Sequence, residues 1–366
     1  MQPESDAIPS QPTVHRVALL NRNDRLFHFI LAQQLDRDTI DRLCRLAELI
    51  RRIAESREGV RFLRGLLSHK RAMLYFIQPS TRTFLSFASA CQMLGIRFAE
   101  VRNPSVSSEI KGETEDDTVR VLSQYFHLIV MRHPVEGFAE RMAHNLDALR
   151  MSIPIINGGS GKDQHPTQAM LDVYTLRRCF DSNLSLGAVP DFAHNRLAGK
   201  TLALVGDLKR GRTVRSLVYL LCRYPGVRLR FVAPPQLQLE QDIVTYLRRH
   251  DMQFEFSDDL GAVIGDCDAV YMTRLQDEYD INGESKSIDY DRFRLSADMR
   301  SRFKPDLAIL HPLPRRNELD RALDTDPRAK YFEQVQNGLW MRAAIIAYIF
   351  NTDAPIIDYY QTHHTY

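Results

Sequence analysis

The sequence has few cysteines and no long apolar run, and both absences exclude classes of protein. No stretch approaches the roughly 20 apolar residues that cross a bilayer, and the N-terminus lacks the apolar core of an export signal. No CxxC pair and no zinc-type Cys/His cluster is present. We therefore expect a cytoplasmic protein with no membrane contact and no bound metal. The five thiols, expected to be reduced and mostly buried, are Cys44, Cys91, Cys179, Cys222 and Cys267.

A charge excess and a dinucleotide fingerprint are also lacking. The 48 basic and 46 acidic side chains leave a formal net charge of +2, so neither nucleic acid nor an anionic membrane is the expected partner. The segment "VGDLKRGRT" (205–213) contains only Gly206 and Gly211 and does not match GxGxxG. This departure argues against a nicotinamide cofactor and a dehydrogenase.

The 366 residues are enough for about two domains, and apolar runs alternate with stretches of helical spacing. Such alternation is typical of an α/β fold with doubly wound parallel sheets, one in each domain. The predicted strands are 71–77, 126–132, 153–158, 200–207, 227–234, 267–274 and 307–315. The predicted helices are 39–55, 84–95, 138–146, 165–180, 213–224 and 337–350. Polar stretches at 181–199 and 280–303 are interpreted as insertions.

The segment "PSTRT" (79–83) joins the first predicted strand to a predicted helix. It places Ser80, Thr81 and Thr83 at a helix N-terminus, where unpaired N–H groups and the helix dipole favour an anion, and Arg82 adds a positive charge. Phosphate is the natural ligand. The alternative is that Ser80 or Thr81 serves only as an N-cap.

Four further segments place polar side chains at predicted strand ends, where parallel sheets bind ligands. "VMRHP" (130–134) carries Arg132, and "GGSGKDQHPTQ" (158–168) carries His165 and Gln168. "YMTRLQ" (271–276) carries Arg274 and Gln276, a pair suited to a carboxylate. "HPLPR" (311–315) has a candidate cis peptide at Pro314 and carbonyls able to accept from an amide. Each segment alone also fits a structural histidine, a surface arginine or a plain turn.

Taken together, these motifs resemble those of the aspartate carbamoyltransferases. STRT, KGE (111–113), MRHP, QHPTQ, GRTVRSL (211–217), MTRLQ and HPLPR occur in the order found in that family and cover most of residues 40–350. STRT and QHPTQ belong to the wider transcarbamoylase superfamily, whereas HPLP and MTRLQ indicate its aspartate branch. The ornithine branch typically carries a cysteine where this chain has Pro312.

The resemblance implies an activity and a set of site residues. Carbamoyl phosphate and L-aspartate would give N-carbamoyl-L-aspartate and phosphate, an early step of pyrimidine synthesis, with no cofactor. The residues expected to be catalytic are Arg82, Thr83, Lys111, Arg132 and His165. Those expected to bind carbamoyl phosphate are Ser80, Thr81, Arg82, Thr83, Ser107, Arg132, His165, Gln168, Pro312 and Leu313. Those expected to bind aspartate are Lys111, Arg212, Thr213, Arg274, Gln276 and Leu313.

The resemblance also implies a domain arrangement and an assembly. We expect a flexible leader over 1–20, a carbamoyl phosphate-binding domain over 21–170 and 338–366, and an aspartate-binding domain over 171–337. The helix at 165–180 would join the domains, and the C-terminal helix would pack back on the first. Ser107 and Lys111 would enter the site of a neighbouring subunit in a homotrimer, to which regulatory or pathway-enzyme subunits could bind.

Two alternatives remain at this stage. A transcarbamoylase acting on another amine, such as ornithine or an acylated ornithine, would keep the phosphate motifs, although Arg274, Gln276 and HPLP argue against it. A non-catalytic homologue could act as a structural subunit, although the full set of candidate contacts is present. A panel of amine substrates tests the first alternative, and an absence of phosphate binding would favour the second.

Overall fold

The computed structural model describes residues 13–102, 113–151, 153–161, 164–181, 189, 192–274 and 289–364. The chain forms two compact units, residues 1–167 with 338–366 and residues 168–337. It passes from the first unit to the second within helix Pro166–Cys179 and returns within helix Tyr331–Ile349. The first unit is therefore built from both ends of the chain. Among the described residues, no helix is long and apolar enough to cross a membrane.

The first unit contains a four-stranded parallel sheet and a separate two-stranded antiparallel hairpin. Its strands are β1 (Asn21–Arg22), β2 (Arg25–Leu26), β3 (Arg71–Phe76), β4 (Arg97–Val101), β5 (Leu128–His133) and β6 (Ile155–Ser160). The helices up to the unit boundary are α1 (Thr13–Leu20), α2 (Arg37–Ile53), α3 (Arg57–Leu66), α4 (Thr81–Met93), α5 (Glu115–Tyr125), α6 (Phe138–Ala148) and α7 (Pro166–Cys179).

The parallel sheet of the first unit has the strand order β4-β3-β5-β6. Strands β3 and β5 are buried almost throughout, and Met73, Tyr75, Ile129 and Met131 from these strands lie in one apolar core cluster. The chain leaves β3 for β4 on one side and then crosses to β5 on the other. The sheet therefore has its topological switch point between β3 and β5, where ligands bind in such folds.

The second unit contains a five-stranded parallel sheet in the order β11-β10-β7-β8-β9. These strands are β7 (Thr201–Val205), β8 (Arg228–Val232), β9 (Gln253–Ser257), β10 (Ala269–Met272) and β11 (Ala308–Leu310). The remaining α-helices of the described residues are α8 (Arg212–Leu221), α9 (Gln241–Arg249), α10 (Leu260–Val263), α11 (Tyr331–Ile349) and α12 (Asp353–His364). Short 3-10 segments are Pro235–Leu237, Ile264–Asp266, Tyr290–Phe293, Ala297–Arg302 and Arg321–Thr325. The switch point lies between β7 and β10.

The structure confirms the predicted fold class, an α/β protein with a parallel sheet in each of two domains. The C-terminal helices return to the first unit as predicted, where Arg342 of α11 donates to the Ser86 hydroxyl (2.8 Å) and α12 packs against α2. Four strands were not predicted. The hairpin strands β1 and β2 have only two residues each, too few to show a pattern. Strands β4 and β9 contain only exposed and half-buried residues and so lack the apolar run that identified the seven predicted strands.

The N-terminal prediction needs one correction. Residues 13–20 of the predicted leader form helix α1, and Arg16 in this helix forms an ion pair with Glu140 of α6 (2.5 Å). Leu20 is fully buried in the core of the first unit. The predicted leader therefore does not extend to residue 20, and its first twelve residues lie outside the described part of the chain.

Candidate active site

The PSTRT segment lies at the carboxyl end of β3 and begins helix α4. Ser80 occupies the N-cap with an extended backbone, yet its hydroxyl makes no capping hydrogen bond, so the N-cap alternative does not account for this serine. Thr81 and Arg82 are exposed at the first turn of the helix, and Thr83 is buried. A helix N-terminus therefore presents a hydroxyl and a guanidinium to solvent, as an anion site requires.

Thr83, Arg132 and His165 converge in the first unit. The Thr83 hydroxyl lies 3.4 Å from Nε2 of His165. Arg132 stands opposite Phe76 at the end of β5, and its Nη1 donates to the carbonyl of Gly158 (3.0 Å). Both Arg132 and His165 are buried. A buried cation, an imidazole and a hydroxyl are thus gathered beside the β3/β5 switch point, although the sequence separates them by up to 82 positions.

Gly159 allows this arrangement. Its backbone has φ +110°, and a Cβ at this position would lie 2.5 Å from Arg132 Nη1 and 3.3 Å from His165 Cδ2. Any other residue would therefore collide with the guanidinium as well as strain the backbone. Buried Asn157 fixes the turn, because its Oδ1 accepts from the N–H of Gly159 (2.8 Å). Sequence reasoning missed both roles; the paired glycines in "NGGSG" were the available signal.

His133 follows Arg132 and holds the chain as it leaves β5. Its Nδ1 accepts from the N–H of Val135 (3.2 Å), so Nε2 carries the proton and faces Glu115 (3.1 Å). The ring stacks on Phe138 at 3.8 Å between centroids. Burial, with a smaller contribution from the charge of Arg141, lowers the pKa of His133 to about 4. The imidazole is therefore neutral at pH 7.

Arg212, Thr213 and Arg274 lie at the carboxyl ends of β7 and β10 in the second unit. Arg212 and Thr213 open helix α8, and Arg274 follows β10 by two residues. Val205 and Met272 are partners at the ends of the two strands, so both loops leave the sheet at the same edge. Gly206 permits their close approach, because its φ is +112° and a Cβ would lie 2.3 Å from the carbonyl oxygen of Thr273.

A cavity of about 550 Å³ opens at this edge of the second sheet. Gly206 and Thr273 contribute to its wall, as do Pro234 after β8 and the charged residues Arg294 and Glu318. It therefore marks the switch point of this sheet as a concave site whose wall combines apolar and charged side chains, as small-ligand sites in such folds do.

The HPLPR segment follows β11, the neighbour of β10. Nδ1 of His311 accepts from the N–H of Leu313 (2.7 Å), and its Nε2 lies 2.7 Å from Glu318 Oε1. Burial raises the pKa of Glu318, but hydrogen bonds from His311 and from the backbone N–H of Arg316 outweigh it and bring the pKa below its usual value. The peptide bond between Leu313 and Pro314 is cis, as the sequence suggested.

Gln168 lies in the first turns of α7, where its Nε2 donates to Asp172 (2.9 Å). The structure thus assigns the candidate residues to one unit or the other, and it gathers Thr83, Arg132 and His165 within the first. Ser107, Lys111 and Gln276 lie outside the described residues. Within the described ranges, no group of three or more His, Cys, Asp or Glu side chains could hold a metal ion.

The fold and the candidate residues define a two-domain α/β enzyme whose sheets each carry polar side chains at a switch point. Comparison with known proteins identifies the family. Residues 28–178 match the model of the aspartate/ornithine carbamoyltransferase carbamoyl-P binding domain, and residues 198–349 match that of the Asp/Orn binding domain. The chain belongs to the aspartate/ornithine carbamoyltransferase family, as its motifs predicted.

Three similar proteins are named as aspartate carbamoyltransferases or transcarbamoylases. The aspartate carbamoyltransferase catalytic subunit of Methanosarcina mazei is 39% identical over 320 residues, which are 87% of this chain and 96% of that protein. The chloroplastic aspartate carbamoyltransferase 1 of Pisum sativum is 39% identical over 322 residues, 87% of this chain and 77% of that protein. The structure of Trypanosoma cruzi aspartate transcarbamoylase with carbamoyl aspartate and phosphate has a TM-score of 0.73 at 34% identity, covering 87% of this chain and 94% of that one.

Proposed function

We propose that this protein is an aspartate carbamoyltransferase, which transfers the carbamoyl group of carbamoyl phosphate to the α-amine of L-aspartate. The products are N-carbamoyl-L-aspartate and phosphate, at an early step of pyrimidine biosynthesis. The observation that carries the proposal is the convergence of Thr83, Arg132 and His165 beside the exposed N-terminus of α4. A phosphate site next to a cluster of donors suits an acyl phosphate.

The first unit binds carbamoyl phosphate. Ser80, Thr81 and Arg82 hold the phosphate with hydroxyl, N–H and guanidinium donors. Thr83, Arg132 and His165 donate to the carbonyl oxygen, where negative charge increases as the amine attacks. Burial of these donors strengthens their effect, and each is worth on the order of 3 kcal/mol.

The second unit binds aspartate. Arg212, Thr213, Arg274 and Gln276 hold its two carboxylates, which favours aspartate over ornithine because ornithine has one carboxylate and an additional cation. Gln168 and the carbonyls of Pro312 and Leu313 accept from the carbamoyl –NH₂ group.

The reaction needs no protein nucleophile. The uncharged α-amine attacks the carbamoyl carbon, a C–N bond forms, and the C–O bond to phosphate breaks. The departing phosphate takes the proton that the amine loses, so charge and atoms balance without a protein base. The protein contributes alignment of the two substrates and stabilisation of the developing charge.

A substrate panel tests the proposal. Purified protein is mixed with carbamoyl phosphate and either aspartate or ornithine, and the carbamoylated amine is measured for the wild type and for Arg274→Ala. We expect product from aspartate alone, with the aspartate KM raised at least tenfold in the variant and the carbamoyl phosphate KM unchanged. Arg249→Ala, an exposed arginine on α9, is the matched control and should behave as wild type. Product from ornithine alone would refute the aspartate assignment.

We infer a homotrimer in which Ser107 and Lys111 complete the site of a neighbouring subunit. The family resemblance supports this arrangement. Mixing two inactive variants, Arg82→Ala and Lys111→Ala, tests it after dissociation and reassembly. Random reassembly should restore activity at about a quarter of the sites, because one variant supplies Arg82 and the other Lys111. No recovery, with a monomeric mass by light scattering, would contradict the shared site.

We place the reaction in the cytoplasm. The five cysteines are all free, and four of them are buried, which fits a reducing compartment. Cell fractionation with an antibody to the chain tests the location. Recovery in an organelle, such as the chloroplast for which the Pisum sativum relative is named, would overturn it.

A further inference from the structure

One buried carboxylate in the second unit contacts several elements that the proposed function uses. Asp172 lies on α7, one turn after Gln168, and is completely buried. Its Oδ1 accepts from Nε2 of Gln168 (2.9 Å) and from Nε2 of Gln334 on α11 (2.6 Å). Its Oδ2 accepts from the hydroxyl of Tyr271 on β10 (2.8 Å). Three donors that are distant in sequence thus meet on one side chain.

A carboxylate at this point determines the orientation of both glutamines. An ionised aspartate only accepts hydrogen bonds, so each amide must turn its –NH₂ towards Asp172 and its oxygen elsewhere. For Gln334 the oxygen accepts from the N–H of His311 (2.9 Å). For Gln168 the oxygen is the atom that would accept from the carbamoyl –NH₂ group. Asp172 therefore fixes which end of the Gln168 amide faces substrate.

The same carboxylate connects to the HPLPR segment. Gln334 joins Asp172 to the backbone of His311, and the ring of His311 holds the N–H of Leu313 (2.7 Å). The carbonyls of Pro312 and Leu313, which are the other proposed acceptors for the carbamoyl amine, lie within this hydrogen-bonded segment. Both sets of carbamoyl acceptors are thus held by one network.

A third branch leads towards the aspartate site. Tyr271 donates to Asp172 and also forms a hydrogen bond with Thr213, which follows Arg212 on α8. Burial, followed by the charge of Asp172, raises the pKa of Tyr271 well above its usual value, so the phenol remains a donor. The network therefore includes a residue proposed for each substrate.

We propose that Asp172 is a positioning residue that orients the Gln168 amide and, through Gln334 and His311, the carbonyls of Pro312 and Leu313 for the carbamoyl amine. It touches neither substrate. This inference rests on the proposed function for its catalytic consequence, but the orientation of Gln168 can be observed independently of activity.

A neighbouring pair offers a matched control. The hydroxyl of Thr175 accepts from Nδ2 of Asn337 (2.9 Å), so this contact also links α7 to α11 and is equally buried. It has no bond to Gln168 or His311 among those the structure describes. Thr175→Val should therefore lower stability without altering the site.

The first experiment is a double-mutant cycle on kcat/KM for carbamoyl phosphate. Asp172→Asn leaves one oxygen for three donors, and we expect a loss of about 100-fold, as for a misplaced reacting group. The double variant Asp172→Asn with Gln168→Ala should lose no more kcat/KM than the worse of the two single variants, because the two residues act as a unit. The kcat/KM of Thr175→Val should stay within threefold of wild type. In the double variant with Gln168→Ala, the two losses of kcat/KM should multiply. A kcat/KM of Asp172→Asn close to that of wild type would overturn the proposal. So would losses from Asp172→Asn and Gln168→Ala that multiply in the double variant.

The second experiment does not depend on turnover. In a crystal structure of Asp172→Asn we expect the Gln168 side chain to have moved out of hydrogen-bonding distance of residue 172 or to have reversed its amide. An unmoved Gln168 refutes the positioning role, whereas a wild-type enzyme inactive on aspartate refutes only the proposed function. If Asp172→Asn does not fold, Tyr271→Phe removes one donor. It should lower kcat/KM for carbamoyl phosphate severalfold, and an unchanged kcat/KM for carbamoyl phosphate would overturn the proposal.

Discussion

The two units use the same turn to hold different kinds of group. In each, a histidine at or just after the end of a strand precedes a proline, and its Nδ1 accepts from the backbone N–H two residues later. In each, Nε2 faces a glutamate, Glu115 for His133 and Glu318 for His311. In the proposed site, the first unit would use the side chain before the histidine, Arg132, whereas the second would use the carbonyls after it. The same histidine–proline turn thus follows a cation in the first unit and contains carbonyl acceptors in the second.

The units also differ in how their candidate groups are supported. The first unit exposes Thr81 and Arg82 at a helix N-terminus, where charge and unpaired N–H groups are sufficient to attract a dianion. The second unit fixes Gln168 through a buried carboxylate, because an amide must be oriented before it can discriminate. The candidate carbamoyl phosphate groups are therefore supported by exposed charge in the first unit and by a buried carboxylate in the second.

The largest effect is expected from the charge of the first unit. Arg132→Ala should lower kcat about 10²- to 10³-fold, because the proposed function makes this guanidinium a donor to the developing oxyanion. The aspartate KM should change little. Steady-state kinetics check this, with the exposed Arg120→Ala on α5 as the control. A loss confined to the aspartate KM would break the division of roles between the units.

A smaller effect should follow from moving the same guanidinium without removing it. Gly159→Ala places a methyl group 2.5 Å from the present position of Arg132 Nη1, so the guanidinium must shift, and kcat should fall about 10- to 100-fold. Gly137→Ala is the control, since Gly137 also has a positive φ but nothing within 4 Å of the added Cβ. Equal kcat losses in both variants would show that backbone strain, and not the position of Arg132, is responsible.

The histidine turn of the first unit predicts an acid-sensitive stability. Burial and the charge of Arg141 lower the pKa of His133 to about 4, whereas an unfolded histidine takes up its proton near pH 6.5. The contribution of His133 is therefore complete above about pH 6.5 and declines as the pH falls towards about 4. Urea unfolding at pH 7.5 and 5.0 measures this decline. His133→Gln should show a flatter pH dependence; parallel curves for variant and wild type would contradict the assignment.

The smallest effect is expected where the second unit acts through its backbone. Leu313→Ala keeps the carbonyl and the N–H that His311 accepts from, so kcat/KM for either substrate should change by no more than about threefold. The same assay serves as the check. A loss as large as that of Arg132→Ala would mean that the leucine side chain itself contacts substrate.

Much of the fold was predictable because its buried strands are continuous apolar runs. "RAMLYFI" and "FHLIVMR" identified β3 and β5, whereas "RFAEV" of β4 and "QFEFS" of β9 carry charged or polar residues among their apolar ones and were missed. In the site, PSTRT was recognisable because hydroxyl groups and an arginine before a helical run have a local physical reason. The PSTRT segment could therefore be assigned as an anion site without knowing which distant residues lie near it.

The supporting residues could not be predicted in the same way. An aspartate in a helix ordinarily faces water, and the burial of Asp172 depends on Gln334, which lies 162 positions away, and on Tyr271. Gly159 likewise acquires its role only when Arg132 from another strand lies against it. The four-residue spacing of Gln168 and Asp172 on one helix face was the available signal, but it does not distinguish a buried pair from a solvated one.

The division of the first unit into two segments that flank the second unit has a consequence for synthesis on the ribosome. Helix α2 is made before the second unit, and its partner α12 is made after it. Between residue 167 and the end of α12, roughly 200 residues must be translated, which takes about 10 to 40 s at ordinary elongation rates. During that time the second unit, continuous in sequence, can complete its fold, whereas the first retains an exposed face awaiting α12. The unit whose synthesis begins first is therefore the last to complete its fold, and chaperones would encounter it while this face is exposed.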